Sequence, residues 1–290
     1  AQESRGLGDV YKRQSQNYFR IVEHNINSLK GKKEDLNGLI ETEKPDCIVL
    51  VETKLDASYK TSEFFDLNVW NVVVREDRNA YGGGIIIAIR RKYIASPIKI
   101  EYENEDENPE LYWIKVDTIK KQKSIYICGL YRSQRDIRST NTLECLRESL
   151  EKLPGRKGQH HVIITGDINL HIDWEVNLPQ NNSQTKHLDI KLIEICEDFN
   201  LEQKVNFPTR LENTLDIFCT NDPSKLINIR PSPPLADHDG IVADINLNPK
   251  QKPKSQHVIY NWKKANIEEM NKEVTAKLAA INFNEEDIHE

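Results

Sequence analysis

The sequence predicts an α/β sandwich in which two packed mixed β-sheets, flanked by helices, make four layers. Three observations predict it: many short apolar runs of strand length, few segments with helical spacing, and an opening order of strand, helix, strand. With 290 residues, 38% of them hydrophobic, the chain can bury the core of one large domain plus appendages.

Residues 18–23 alternate enough to open a strand, and Leu36, Leu39 and Ile40 give residues 29–43 helical spacing until Pro45 stops the helix. Residues 47–51 read as a short buried strand. Further strands are expected over 70–74, 85–90, 111–116, 124–130, 161–165, 215–219 and 241–246. Helices are expected over 140–152 and 185–198, the second placing Leu188, Leu192, Ile195 and Cys196 on one face. Residues 101–110 carry six acids and Pro109, which reads as a solvated loop.

The ends of the chain differ from this middle. Residues 1–14 resemble the translation of a transposase adaptor used in sequencing libraries and are set aside as an adaptor-derived scar. The domain then runs over 15–248, a Lys- and Pro-rich linker over 249–264, and residues 265–290 have the helical composition of a truncated downstream region.

Composition removes several function classes. The longest apolar runs fall far short of the roughly 20 residues that span a bilayer, so no membrane partner is expected. Nothing at the N-terminus resembles a signal peptide, which favours an intracellular location. Five scattered cysteines with no CxxC pair read as reduced, buried small hydrophobes, not a zinc site. A net charge of -6 argues against a surface that grips long nucleic acid by charge alone, so any such contact is local or metal-assisted.

Six short segments end strands or enter turns with polar side chains: His24-Asn25-Ile26-Asn27, Val51-Glu52-Thr53, Leu130-Tyr131-Arg132, Gly166-Asp167-Ile168-Asn169, Asn213-Thr214-Leu215-Asp216 and Ala236-Asp237-His238-Asp239. Taken singly, each suits a turn or a helix cap. Gly82-Gly83-Gly84 precedes a strand without the Lys-Ser/Thr of a phosphate loop and reads as structural.

Taken in order, the six segments resemble the endonuclease/exonuclease/phosphatase superfamily over residues 18–247. The longer blocks are similar to the endonuclease domain of non-LTR retrotransposons: Phe207-Pro208-Thr209-Arg210, then Asn213-Thr214-Leu215-Asp216-Ile217-Phe218 with Thr220-Asn221, and Gly166 to Asn169 followed by Ile172-Asp173-Trp174. Tyr260-Asn261-Trp262 resembles the segment that such elements carry ahead of the polymerase. Two departures are His24, where the family often has Trp, and Ala236, where Ser is usual.

The resemblance implies a Mg²⁺-dependent phosphodiesterase, with Mn²⁺ as a substitute, that nicks DNA and leaves a 3′ hydroxyl. It implies a fused reverse transcriptase and the element RNA as partners, and a nuclear location. Glu52, Asp237 and Asn25 would sit at the metal, with Asn25 and Asn27 also orienting phosphate. Asp167 would orient or deprotonate the attacking water and Asn169 would hold it or the phosphate. His238 would donate to a phosphate oxygen, Asp216 would fix the tautomer of His238, and Tyr131 would donate from the opposite side. Arg132 would add charge nearby, its alternative being a surface ion pair with the acidic loops. An apurinic repair endonuclease, another phosphoesterase, or an inactive nucleic-acid-binding remnant stay open.

Overall fold

Two six-stranded sheets pack face to face in the computed structural model, which describes residues 18–79, 81–103, 109–119, 123–135, 139–154, 160–252 and 266–279. The first sheet begins with β1 (Phe19–Asn25), crosses over through α1 (Lys33–Glu43) and returns in parallel as β2 (Cys47–Val51). Then come β3 (Trp70–Glu76) and β4 (Ile85–Arg90), which closes antiparallel on β2. The second sheet is built from β5 (Ala95–Ile98), β6 (Glu110–Val116), β7 (Ser124–Tyr131) and, after α2 (Asn141–Lys152), β8 (His160–Asp167) parallel to β7.

A two-residue pair, β9 (Ile172–Asp173) and β10 (Leu178–Pro179), leads into α3 (Lys186–Asp198). The chain then adds β11 (Glu202–Gln203) and β12 (Asp216–Thr220) to the second sheet and returns to the first as β13 (Leu226–Ser232) and β14 (Gly240–Ile245). The orders are β13-β14-β1-β2-β4-β3 and β11-β12-β8-β7-β6-β5.

The layers follow from where the apolar faces go. Phe19, Ile21, Val49, Ile87, Ile127, Ile163, Phe218 and Ala243 fill the space between the sheets. Leu143, Leu146, Leu188, Leu192 and Ile195 from α2 and α3 cover the outer face of the second sheet, against Trp113, Cys128 and Ile164. Leu36 and Leu39 of α1 cover the outer face of the first, against Val22, Ile48, Leu50 and Ile86. Each fully buried aliphatic side chain contributes about 1.5–3 kcal/mol, so this four-layer burial dominates the stability of the domain. All five cysteines are buried thiols.

The structure differs from expectation in places with physical causes. The first helix starts at Lys33, not residue 29, because Ser28 (φ 86°) and Gly31 (φ 75°) hold a loop no helix can accept. β5 and β13 are edge strands that contain Pro97 and Pro231, and proline broke the apolar pattern that would have revealed them. Residues 249–252, expected as linker, run beside the domain, with Lys252 N–H donating to Lys92 O at 2.6 Å and Lys250 N–H to Asp117 O at 2.7 Å.

The chain divides into two compact units, residues 1–252 and 253–290. In the second, α4 (Ile267–Ala279) exposes Ile267, Met270, Val274 and Leu278. Residues 1–14, the expected scar, and 253–264 of the expected linker lie outside the described residues. No helix among the described residues is long and apolar enough to cross a membrane.

Candidate active site

Strand register brings the polar strand ends together. Across the second sheet Glu110 pairs with Tyr131, Tyr131 with Asp167, and Asp167 with Asp216, so one rung of four neighbouring strands carries all four side chains on one face. In the first sheet Asn25 ends β1 beside Val51 at the end of β2. The sheets approach closely because Gly129, two residues before Tyr131, has no side chain; a Cβ there would lie 3.1 Å from both Ile87 and Val49.

Asn25 links the sheets. Its Nδ2 donates to Asp167 Oδ2 at 2.8 Å and to Glu52 Oε1 at 3.3 Å, while its Oδ1 accepts the N–H of Asn27 at 3.1 Å. Glu52 sits in the left-handed region at φ 55°, in a loop that accepts Ser28 N–H at Glu52 O (2.7 Å) and Leu29 N–H at Thr53 O (2.9 Å). Its Oε1 also accepts the Tyr131 hydroxyl at 2.9 Å, and its Oε2 pairs with Lys54 Nζ at 2.9 Å. Burial raises the Glu52 pKa, but Lys54, Tyr131 and Asn25 outweigh it and hold the carboxyl below its usual range, ionised.

The Asp167 carboxylate lies deeper. A Cβ on the preceding Gly166 (φ 137°) would fall 1.9 Å from Leu130 O, so only glycine fits there. Asp167 Oδ1 accepts Asn169 N–H at 2.9 Å and Oδ2 accepts Asn169 Nδ2 at 2.8 Å, with Asn169 itself left-handed at φ 49°. Burial first, then the charge of Asp216, pushes the Asp167 carboxyl well above the usual range; His238, Asn25 and Asn169 oppose them.

His238 Nδ1 meets Asp216 Oδ2 at 2.7 Å, both groups buried. Burial lowers the His238 pKa, but the bond to Asp216, its charge and those of Asp167 and Asp237 win, and the net shift is upward. Thr209 explains part of its sequence block: its Oγ1 accepts the N–H groups of Leu215 and Asp216, both at 3.0 Å, and its O accepts Asp239 N–H at 2.7 Å. One threonine therefore anchors both members of the His–Asp pair. The neighbouring Arg210 pairs with Asp237 at 2.7 Å, and Asn27 Nδ2 donates to Asp237 Oδ1 at 3.2 Å. His24 stays neutral, its pKa pushed down to about 4 by burial, and packs where Gly240 leaves room.

These groups border a cleft of about 660 Å³ lined by Glu52, Tyr131, Asn169, Asp237 and His238 together with the cations Lys54, Arg78, Arg135 and Arg210. A phosphodiester backbone suits a cleft with that many cations. A second cavity, about 320 Å³ and bordered by Leu150, Leu153, Phe199 and Leu201, lies by His160 at the start of β8, the other end of the strand that finishes at Asp167.

The structure thus gathers Asn25, Asn27, Glu52, Tyr131, Asp167, Asn169, Asp216, Asp237 and His238 at one end of the sandwich. Asp167 and Asp216 stand behind the cleft lining. Arg132 is buried behind the cleft lining, where its Nη1 reaches Asn169 O at 3.5 Å, and is not a surface residue. Sequence reasoning passed over Lys54, Arg78 and Glu110, and named Thr209 only as part of a block, without a role. The spacing of Lys54 from Glu52 was a usable signal for it; Glu110 was hidden inside an acidic run taken as solvated, whereas it opens β6 and is buried.

Two groups of side chains suit a divalent cation. Glu52 offers an ionised hard oxygen at the cleft, where Lys54 already shows that a cation is accommodated, and a single carboxylate is what Mg²⁺ needs when water and phosphate complete its shell. Asp167, Asp216 and His238 have potential ligand atoms within 4.8 Å of one another, but His238 Nδ1 is engaged by Asp216.

A family model described as endonuclease-reverse transcriptase matches residues 125–242, which run from β7 through the His–Asp pair into β14. No curated protein matches in sequence. Among solved structures, the chain is similar to the AP endonuclease LMAP from Leishmania major, at 15% identity and TM-score 0.62, covering 81% of this chain and 88% of that one. It is similar to the endonuclease domain of TRAS1, a telomere-specific non-LTR retrotransposon, at 17% identity and TM-score 0.58, covering 79% and 99%. An AP endonuclease from Archaeoglobus fulgidus gives 15% identity and TM-score 0.60, covering 79% and 100%. Two mixed sheets between helices give the chain the fold of these nucleases, and over residues 125–242 its sequence matches the endonuclease-reverse transcriptase family model.

Proposed function

We propose that this chain is a divalent-cation-dependent DNA endonuclease that nicks one strand and leaves a 3′ hydroxyl, serving as the target-cleaving domain of a non-LTR retrotransposon polyprotein. The observation that carries the reading is a single cleft bordered by an ionised Glu52 and by a His238 that Asp216 holds toward its charged form. Hydrolysis of a phosphodiester needs neutralised non-bridging oxygens and managed protons, and those two groups divide the work.

In this reading the Nδ1 of His238 is held by Asp216, leaving Nε2 to donate to a phosphate oxygen. Tyr131 fixes Glu52 through its hydroxyl, and Asn169 holds the attacking water at the cleft while Asp167, its carboxyl held well above the usual carboxylate range by burial and by Asp216, accepts the proton. Glu52, its Oε1 held by the Nδ2 of Asn25, would hold Mg²⁺ or Mn²⁺, which when bound neutralises charge on the phosphate. Asp237, held by Arg210 and Asn27, shapes the rim of the same site. Leu211 and Tyr81, 88% and 93% exposed, would contact duplex beside the cut. A fused reverse transcriptase, which the description of the matched family model supports, completes the reading together with element RNA and a nuclear location.

The AP endonucleases among the similar structures favour one rival, cleavage at abasic sites. Supercoiled plasmid, abasic duplex and inositol phosphates, each incubated with the protein in Mg²⁺, separate the two. Nicked plasmid whose ends a polymerase extends without treatment is expected; a strong preference for abasic duplex or a headgroup substrate would overturn the retrotransposon reading. If wild type and Asp167→Ala nick equally poorly, the chain is an inactive remnant.

A further inference from the structure

The rung that carries Asp216, Asp167 and Tyr131 has a fourth member, Glu110, to which no step of the reaction gives a role. Only 9% of Glu110 is exposed, and a buried carboxylate is costly unless it is paired and hydrogen-bonded. Its Oε1 accepts the N–H of Gly84 at 2.5 Å, and its Oε2 meets Arg78 Nη1 at 3.1 Å. Both partners belong to the β3–β4 connection of the opposite sheet, so Glu110 is a further bridge between the sheets, beside the Asn25–Asp167, Tyr131–Glu52 and His238–Asp216 bonds.

That connection supports the Glu52 loop. Gly84 O accepts the N–H of Thr53 at 3.2 Å, and Gly83 O accepts the N–H of Lys54 at 2.9 Å. Glu52 and Lys54 are both left-handed, at φ 55° and 51°, a conformation that side chains resist and that surrounding structure must impose. Arg78 also lies 5.7 Å over the Tyr131 ring, whose hydroxyl holds Glu52 Oε1. The fit is tight: a Cβ on Gly83 would fall 2.2 Å from Glu110 Oε1, and one on Gly84 2.4 Å from Thr53 Oγ1.

We propose that Glu110 is a positioning residue of the phosphoester site: through Arg78 and the Gly83–Gly84 turn it imposes the left-handed Glu52–Lys54 loop and steadies the Tyr131 ring, which aims the Glu52 carboxylate at its cation. The cation half of this statement rests on the proposed role of Glu52; the loop half does not.

Two measurements on wild type, Glu52→Gln, Glu110→Gln, Glu110→Ala and Arg78→Met test it: Mn²⁺ titration followed by electron paramagnetic resonance, and amide hydrogen exchange at Thr53 and Lys54. Glu110→Ala should weaken Mn²⁺ binding by about 10-fold, the usual effect of losing a group that orients a ligand, and should speed exchange at Thr53 and Lys54 while Ile87 and Ile114 keep their protection. Glu110→Gln, which keeps an acceptor for Gly84, should recover most of both. Wild-type exchange at Thr53 and Lys54 in Glu110→Ala overturns the proposal. If Glu110→Ala does not fold, Arg78→Met decides in the same way. Mn²⁺ binding that Glu52→Gln leaves unchanged removes the cation role of Glu52, and the exchange result alone then decides for or against the loop.

Discussion

Asn25, at the end of a central strand of one sheet, donates its amide across 2.8 Å to Asp167 at the end of a central strand of the other. The Asn27 N–H on Asn25 Oδ1 fixes which way that amide points. Asn25→Asp would set carboxylate against carboxylate, between Asp167 and Glu52. Loss of at least ~100-fold in nicking rate is expected, with about 1–3 kcal/mol lost in urea unfolding. Asp167→Asn should lose as much rate, and its urea midpoint should fall less steeply than the wild type's as pH rises above 3.8, because it removes a buried carboxyl whose pKa burial and Asp216 raise, although its NH2 then faces the amide donors of Asn25 or Asn169. Parallel activity and urea titrations of the two variants check the contrast.

The His238–Asp216 pair makes a pH prediction. His238 has its pKa raised above 6.5, so its protonated form contributes stability that is fully present below 6.5 and lost as pH rises through the folded value. If the charged imidazole donates to phosphate, kcat/KM falls along the same alkaline limb. Asp216→Asn should shift that limb to lower pH, and a pH–rate profile of the variant that overlays the wild type would count against the assigned role.

Glu23 lies on β1 two residues before Asn25, fully buried, with neither carboxyl oxygen hydrogen-bonded. Burial, then Asp216 and Asp167, raises its pKa well above 4.5. The native state therefore holds a proton that the unfolded chain releases above 4.5, so stability falls as pH rises from there toward the folded value, by about 1.4 kcal/mol per unit. Glu23→Gln should flatten this part of the stability curve, measured by urea midpoints between pH 5 and pH 8.

Lys54 occupies the Glu52 oxygen that a divalent cation would share. Lys54→Met should tighten Mn²⁺ binding by about 5-fold, an exchange of about 1 kcal/mol for a partly exposed ion pair, while raising KM for DNA through loss of a cleft cation. A chelator should abolish nicking by both proteins.

Much of the site was legible because its residues sit where apolar alternation stops. Asn25, Glu52, Tyr131 and Asp167 each end or directly follow a strand whose core pattern is plain, and Asp216 opens one. Arg132 lies deeper than a surface ion pair would, because the segment around Asn169 packs against it. Glu110 was missed because local charge density hid the first residue of a strand, and only pairing across the sheet gives that residue its environment. The short edge strands escaped because hydrogen bonds to a neighbour define them, not their own composition.

The rung across β6, β7, β8 and β12 makes the site vulnerable to a kind of lesion that residue-by-residue inspection overlooks. Side chains alternate between faces, so deleting one residue between Ile163 and Gly166 leaves every named polar residue in the text of the gene. Yet the strand must then either turn its core residues toward α2 and α3 or carry Asp167 out of line with Tyr131 and Asp216. A copy of this reading frame can therefore keep all of its motifs and be dead by a single codon's absence.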